Sequence, residues 1–514
     1  MRAAPAATGG DAALWHRRFL VLFFGVLALR VAILALLRLD LSPDEAYYWD
    51  WSRRLDWGYY SKPPMVAWII AGAVDIFGHS ALGVRLPAAV LGTVTLWGVY
   101  LLGRRLFSAR AGFWAAAAAA ALPGSAVLCL AMTIDAPLVC CWSLALFTFW
   151  RAAEGGRGHA GWWLLTGALV GAGLLSKQTM AAFWPLAGLF LAADPGRRRL
   201  LRSPWPYAAV LASGLMVAPV LAWNARHGWI TFRHTAHHFH AAGGAVSLKT
   251  FLAFAGSQLG VVSPILWGLA LWVGGAWLAR ARRAHGPVAF LLAMSTVPVF
   301  GVLALSLHQP VNANWAAPFH LGSLVLLAGW AEGAVDRPAP PPGRRVRLFR
   351  AGVWTAAAMS LLLYAVPPAV VRSPLAGGRL DPTVRVRGWA ELGREVGRVL
   401  DGLPGRERMV VLSRRRQVVS ELAFYLPRGL PVARWSVPGE GVRSQYELWP
   451  ELLEAAAGRD ALVVLEPGDP LLPIVARDFT ELRPLGEVEA VLGPAGTRRL
   501  ALYLGRGFRR GGRR

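Results

Sequence analysis

The sequence predicts an α-helical polytopic membrane protein of about 11 transmembrane helices, followed by a small α/β domain. Three observations carry this. Of 514 residues, 55% are hydrophobic and only 16% charged, with 24 tryptophans and a mean hydropathy of +0.43, the composition of a multi-pass membrane protein. Near-continuous apolar runs such as 86–103, 111–134 and 288–307 have the length that crosses a hydrocarbon core of ~30 Å. From residue 372 those runs stop and charge returns, which divides the chain into a transmembrane domain, 1–371, and a soluble domain, 372–514.

Taken in order, Trp15-His16-Arg17-Arg18 precedes an apolar run over 19–37 with no small-residue cleavage site after it. That pattern predicts an uncleaved first helix with its N-terminus in the cytoplasm. Arginine-rich loops at 104–110, 151–157, 197–202, 280–283 and 337–350 mark the same side. Successive inside loops must be separated by an even number of crossings. Runs near 19–40, 84–103, 111–134, 136–151, 162–176, 178–193, 207–224, 255–279, 288–307, 314–335 and 351–371 satisfy that condition. The stretch 42–64, the Thr133–Asp135 tip, Ser176–Gln178, the loop 225–254 and residues 308–315 then all lie on the extracytoplasmic side. The net charge of +25 reads as topology rather than nucleic-acid binding, because the arginines sit in short loops and in a basic tail, 509–514. Cys129, Cys140 and Cys141 lie in or beside apolar runs and give neither a disulfide framework nor a zinc spacing.

Within the first loop, Pro43 introduces an amphipathic helix over 44–54, and Pro63-Pro64 starts a second over 65–77. Thirteen residues are too few to span, so the second is expected at the membrane surface. The C-terminal domain is expected to hold helices at 388–403 and 416–426 and strands at 409–413, 461–465 and 498–504. No glycine-rich phosphate loop follows any of these strands, which argues against a nucleotide site.

Residues 42–64 concentrate four carboxylates, two arginines, a lysine and seven aromatic rings. Asp44 and Glu45 stand where a helix N-terminus favours a carboxylate, as a cap or as a general base. Lys62 follows Tyr59 and Tyr60 and precedes the diproline; its ammonium suits a phosphate or snorkels to the interface. The aromatic residues are expected to float the loop at the interface. Only three lysines occur, and Lys177 interrupts two apolar helices where a charge is otherwise costly. Asp135, at the start of the fourth run, is an N-cap or a cavity acid. Arg85, Arg226 and Arg233 are further cations, and Arg30, inside the first run, is expected to pair with an internal acid or line a cavity. His227, His234, His237, His238 and His240 share one loop. Spacing leaves open an amphipathic surface segment or a divalent-metal site built on His234, His237 and His238.

SPDEAYYWDW and GYYSKPPMVAW, followed by RLPAA, MTIDAPL, GLLSKQTM, LAWNARHGWITFRHT and ANWAAP, resemble the bacterial branch of the polyprenyl-phosphate-dependent glycosyltransferases. That superfamily includes the protein O-mannosyltransferases and the lipid A aminoarabinose transferase and has the membrane-embedded GT-C fold. The resemblance covers roughly residues 15–330. It implies transfer of a sugar, with inversion, from an undecaprenyl-phosphate carrier to an extracytoplasmic acceptor: lipid A, another glycan or a protein. It also places the enzyme in the bacterial inner membrane, with its active site and C-terminal domain facing the periplasm. Asp44 and Glu45 then fall at the catalytic centre with Asp44 as the base, Lys62 on the carrier phosphate, and Asp135 in the cavity. Tyr59, Tyr60, Arg85, Lys177, Arg226 and Arg233 are the expected companions of Lys62, because a fixed cation is worth most where phosphate charge develops in a dry site. Ser61 stands where some relatives place a metal-binding acid, which counts against a metal cofactor. A transporter or lipid flippase, the alternative class, would show internal repeats with matched broken helices. None is found.

Overall fold

The structure, a computed structural model, describes residues 9–156, 158–236, 246–426, 430–437 and 439–509. Seventeen helices lead up to the C-terminal sheet region: α1 (Gly9–Leu37), α2 (Pro43–Ser52), α3 (Met65–Phe77), α4 (Ala81–Leu106), α5 (Ala109–Ala121), α6 (Pro123–Leu128), α7 (Asp135–Glu154), α8 (His159–Ser176), α9 (Phe183–Ala193), α10 (Trp205–Arg226), α11 (Ile230–Ala236), α12 (Leu248–Val261), α13 (Pro264–Leu278), α14 (Pro287–Leu291), α15 (Val297–Leu305), α16 (Ala317–Ala331) and α17 (Pro342–Val371). By its contacts the chain divides into two compact units. Met1–Ala35, Lys62–Val66 and Arg85–Tyr364 make the first; Leu36–Ser61, Ala67–Val84 and Ala365–Arg514 make the second.

Every apolar run expected to cross the membrane is helical, but not every one is a full-length helix. Among the described residues six helices have the length and apolarity to span, or seven if the α12–α13 pair counts as one. Proline accounts for two of the breaks. Pro123 and Pro264 have no N–H to continue a helix and disfavour helical geometry in the residue before them. The 111–134 run accordingly breaks at Leu122, and α12 and α13 diverge by 116° at Ser263, whose φ is +92°. The 178–193 run splits into a 3₁₀ turn, Gln178–Ala182, and an 11-residue helix. α1, α10 and α17 leave most of their apolar side chains exposed, as lipid-facing helices of a polytopic membrane protein do.

The core of the first unit is aromatic where helices stand apart and small where they touch. Trp142 packs edge-on against Phe183 and Phe319, and Phe290 against Phe190. Gly167 lies so close to the Ala209 carbonyl that a methyl group there would sit 2.4 Å from its oxygen, which is what lets α8 and α10 run together. Arg30, buried in α1, donates to the hydroxyls of Thr93 and Ser125 at 3.1 and 2.9 Å. Its neighbours are hydroxyls, so the internal acid expected as its partner is replaced by neutral groups.

The second unit is built on a mixed sheet, β1 (Val410–Ser413), β2 (Val432–Arg434), β3 (Ala461–Leu465), β4 (Glu481–Gly493) and β5 (Gly496–Arg506), in the order β2-β1-β3-β5-β4. β1 runs parallel to β2 and β3, while β5 runs antiparallel to β3 and β4. β1 and β3 are buried along their whole length, which is why they read as uninterrupted apolar runs. α18 (Trp389–Asp401) and α19 (Arg416–Tyr425) complete the elements that matter for the site.

Candidate active site

In the second unit, α2 begins at Ser42 with a capping box. The Ser42 hydroxyl accepts the Glu45 N–H, and Glu45 Oε2 accepts the Ser42 N–H at 2.9 Å. Glu45 is buried and holds the helix start, whereas Asp44 beside it turns outward. Asp44 Oδ1 accepts a hydrogen bond from Arg416 of α19 at 2.9 Å. Burial works against the charge of Arg416, but Asp44, followed by Tyr47, outweighs it and raises the guanidinium pKa above its ordinary value. The same guanidinium lies 4.5 Å from the centre of the Tyr47 ring. Arg416 escaped the sequence reading because it lies 372 positions from Asp44 in a segment without a motif.

Five of the seven aromatic rings of this stretch, Tyr47, Tyr48, Trp49, Trp51 and Tyr59, are buried within the unit as its floor rather than floating at an interface, while Trp57 is exposed. Trp51 and Tyr59 are fully buried and stacked at 4.5 Å, Trp49 packs on Phe424, and Tyr47 on Tyr446. Gln445 ties two points together, donating its N–H to the Tyr47 hydroxyl at 2.5 Å and accepting the Tyr60 N–H at 2.7 Å. Burial pushes the Tyr47 and Tyr446 phenols up, so both remain neutral hydrogen-bonding groups. Tyr446 donates to Asp50, whose carboxylate also pairs with Arg53. The substrate contact expected of Tyr59 does not fit a ring with no exposed surface, whose hydroxyl faces the carbonyls of Trp51 and Arg54. Tyr60 remains half-buried.

In the first unit the chain leaves α8 at Lys177, where an extended backbone (φ −157°) opens the helix. A charged residue at a helix break inside an apolar bundle needs a partner. Lys177 Nζ finds it in Asp135, the first residue of α7, at 2.7 Å. The other carboxylate oxygen of Asp135 accepts from the Asn314 amide at 2.8 Å. Asp135 is therefore held on both oxygens, and among the described residues one of the three N–H bonds of Lys177 is used. Asn314 belongs to the ANWAAP motif, so a signal for it was present in the sequence.

Of the remaining candidates, Lys62 is half-buried and Arg85 buried in this unit, while Arg226 and Arg233 are exposed. α11, which carries Arg233 and His234, is tied to the residue after Lys177 by a 2.9 Å bond from Thr235 to Gln178. His237 and His238 lie outside the described residues. Among the described residues no group of three or more His, Cys, Asp or Glu side chains is placed to hold a metal ion.

The fold is shared across nearly the whole chain with ArnT of Cupriavidus metallidurans. In its apo structure and in its structure bound to undecaprenyl phosphate the TM-score is 0.61 at 19% identity, over 95 and 94% of this chain and 98 and 97% of that one. That likeness shows an ArnT-like fold. Residues 61–223 match the family model described as dolichyl-phosphate-mannose-protein mannosyltransferase. The lipid A galacturonosyltransferase RgtD of Rhizobium johnstonii is 29% identical over 60% of this chain and 64% of its own length. An undecaprenyl phosphate-alpha-4-amino-4-deoxy-L-arabinose arabinosyl transferase of Pseudomonas fluorescens is 30% identical over 25% of this chain and 23% of its own. The chain thus matches less than two thirds of the length of either curated relative. Over residues 61–223 the chain is similar to the family that the motifs indicated.

Proposed function

We propose that the protein transfers a sugar, with inversion, from a polyprenyl phosphate carrier, undecaprenyl phosphate in a bacterium, to an acceptor at the extracytoplasmic face. The observation that carries this reading is the Lys177–Asp135–Asn314 constellation, a partly buried ammonium fixed by a doubly held carboxylate at a helix break. Such a cation costs stability in an apolar bundle and suits a site where phosphate charge develops. The name of the Pseudomonas relative supports the same donor, and the name of the Rhizobium relative makes lipid A the first acceptor to test.

In the reaction, Asp44 accepts the proton of the acceptor hydroxyl as that oxygen attacks the anomeric carbon. The bond from that carbon to the phosphate oxygen breaks, and polyprenyl phosphate leaves with the electron pair. Lys62 and Lys177, with Arg85, offset the charge that builds on the leaving phosphate. Arg416 bonds Oδ1 of Asp44 and orients the carboxylate toward the arriving hydroxyl. Asp135 keeps the Lys177 ammonium in place rather than moving a proton itself. The full topology proposed is eleven crossings over residues 1–371, with Asp44 and the soluble domain, 372–514, in the periplasm. The test is mass spectrometry of envelope glycolipids and glycoproteins from cells with the native protein, without it, and with Asp44→Asn. A new mass present only with the native protein supports transfer, and the same mass from Asp44→Asn at native level overturns the base assignment.

A further inference from the structure

Behind the Asp135–Lys177 pair lie two polar side chains that neither the motifs nor the proposed reaction accounts for. Gln258 of α12 is fully buried and His320 of α16 is 2% exposed, both among apolar neighbours. The Gln258 amide nitrogen is 3.0 Å from the Ala313 carbonyl and 3.2 Å from the Ser257 hydroxyl. A carbonyl only accepts, and the Ser257 hydroxyl spends its proton on the Phe254 carbonyl at 2.6 Å. The amide N–H groups must therefore face these two oxygens, which leaves Gln258 Oε1 as an acceptor. His320 Nε2, 2.9 Å away, then carries the proton and donates it. The other ring nitrogen, Nδ1, is left buried with no hydrogen-bond partner among the described residues, and the ring is braced edge-on by Trp267 at 5.7 Å. A buried polar atom left unpaired is unfavourable and calls for an explanation.

The Ala313 carbonyl that Gln258 grips belongs to the same peptide unit as the Asn314 nitrogen, and the Asn314 side chain holds Asp135. We infer that Gln258 and His320 are positioning residues for carrier recognition: His320 sets the Gln258 amide, Gln258 sets the 313–316 turn, and Asn314 there sets Asp135 and so the Lys177 ammonium. This rests on the reading of Lys177 as a ligand of the carrier phosphate. One chain of hydrogen bonds thus runs from α16 through α12 to α7 and the end of α8.

The test uses the full-length protein in nanodiscs, with undecaprenyl phosphate as the probe and its affinity and the thermal unfolding midpoint as readouts. Lys177→Ala, Gln258→Leu and His320→Leu are each expected to weaken affinity by about tenfold or more, as loss of supporting partners does at metal sites. His320→Gln places an amide N–H near the position of Nε2–H and is expected to restore most of the affinity lost in His320→Leu. Rescue without a matching recovery of the unfolding midpoint distinguishes positioning from general stabilisation. Weak binding by Lys177→Ala with native affinity in His320→Leu overturns the positioning role, as does equal loss in His320→Leu and His320→Gln. Native affinity in Lys177→Ala overturns the Lys177 reading itself and, with it, the role given to Gln258. Should Gln258→Leu fail to fold, the two His320 variants still decide.

Discussion

Asp135 with Lys177 and Asp44 with Arg416 are carboxylate–cation pairs of the same chemistry, each with its acid in the first turn of a helix, and they are held in opposite ways. In the first pair the acid and the lysine are 7 and 14% exposed, and both carboxylate oxygens are bonded. Asp44 is 62% exposed and offers only Oδ1 to its arginine. Burial with both oxygens bonded fixes a charge in space and leaves the acid little room to meet a substrate. Exposure with one oxygen engaged leaves a carboxylate able to do so. The proposed roles of anchor and base rest on that contrast rather than on residue type.

The contrast is broken or sharpened most by Asp44→Asn, which keeps the shape and removes the basic oxygen. Transfer is expected to fall by ~10²-fold or more, the scale of general-base catalysis, with undecaprenyl phosphate affinity unchanged. Purified protein assayed for both quantities checks this. Next in size is Lys177→Met, which leaves Asp135 buried without a cation. Loss of a buried partner costs about 3–5 kcal/mol, read as a lower denaturation midpoint together with weakened carrier binding. Ser42→Ala removes one side of the capping box and is expected to destabilise the second unit by ~1 kcal/mol in a thermal melt. Smallest is Arg416→Gln: an exposed pair contributes about 0–1 kcal/mol, so the melt should hardly move, while transfer declines in a salt-dependent way. A large loss of stability there would erase the distinction between the two pairs.

Much of the architecture was legible in the sequence because it is written locally. The helix over 65–77 and the strand over 461–465 form at the expected boundaries, since a diproline and a five-residue apolar run each announce themselves. The turn from α8 into Lys177 was legible for the same reason. β4 was not: Pro484, Gly486 and the charges at Glu481, Arg483, Glu487 and Glu489 read as loop, yet as an edge strand it pairs only with β5 and exposes one face. The aromatic floor under α2 was invisible because its partners, Phe424, Gln445 and Tyr446, lie hundreds of residues away. Gln258 and His320 were missed on similar grounds, since a lone polar residue in an apolar run names no partner, whereas Asn314 lay within the ANWAAP motif without its pairing to Asp135 being readable.

The stacking of Trp51 on Tyr59 and the grip of Gln445 on both ends of that stretch have a consequence for how the chain can be cut. A protein ending after α17 would retain every helix long enough to span, yet would lose Arg416, Phe424, Gln445 and Tyr446 together. Its Asp44 would be encoded, inserted and unsupported. The C-terminal sheet domain is in this sense the mould in which the loop before the second spanning helix sets. A premature stop codon anywhere between 372 and 445 should therefore silence the chemistry of a carboxylate translated long before it.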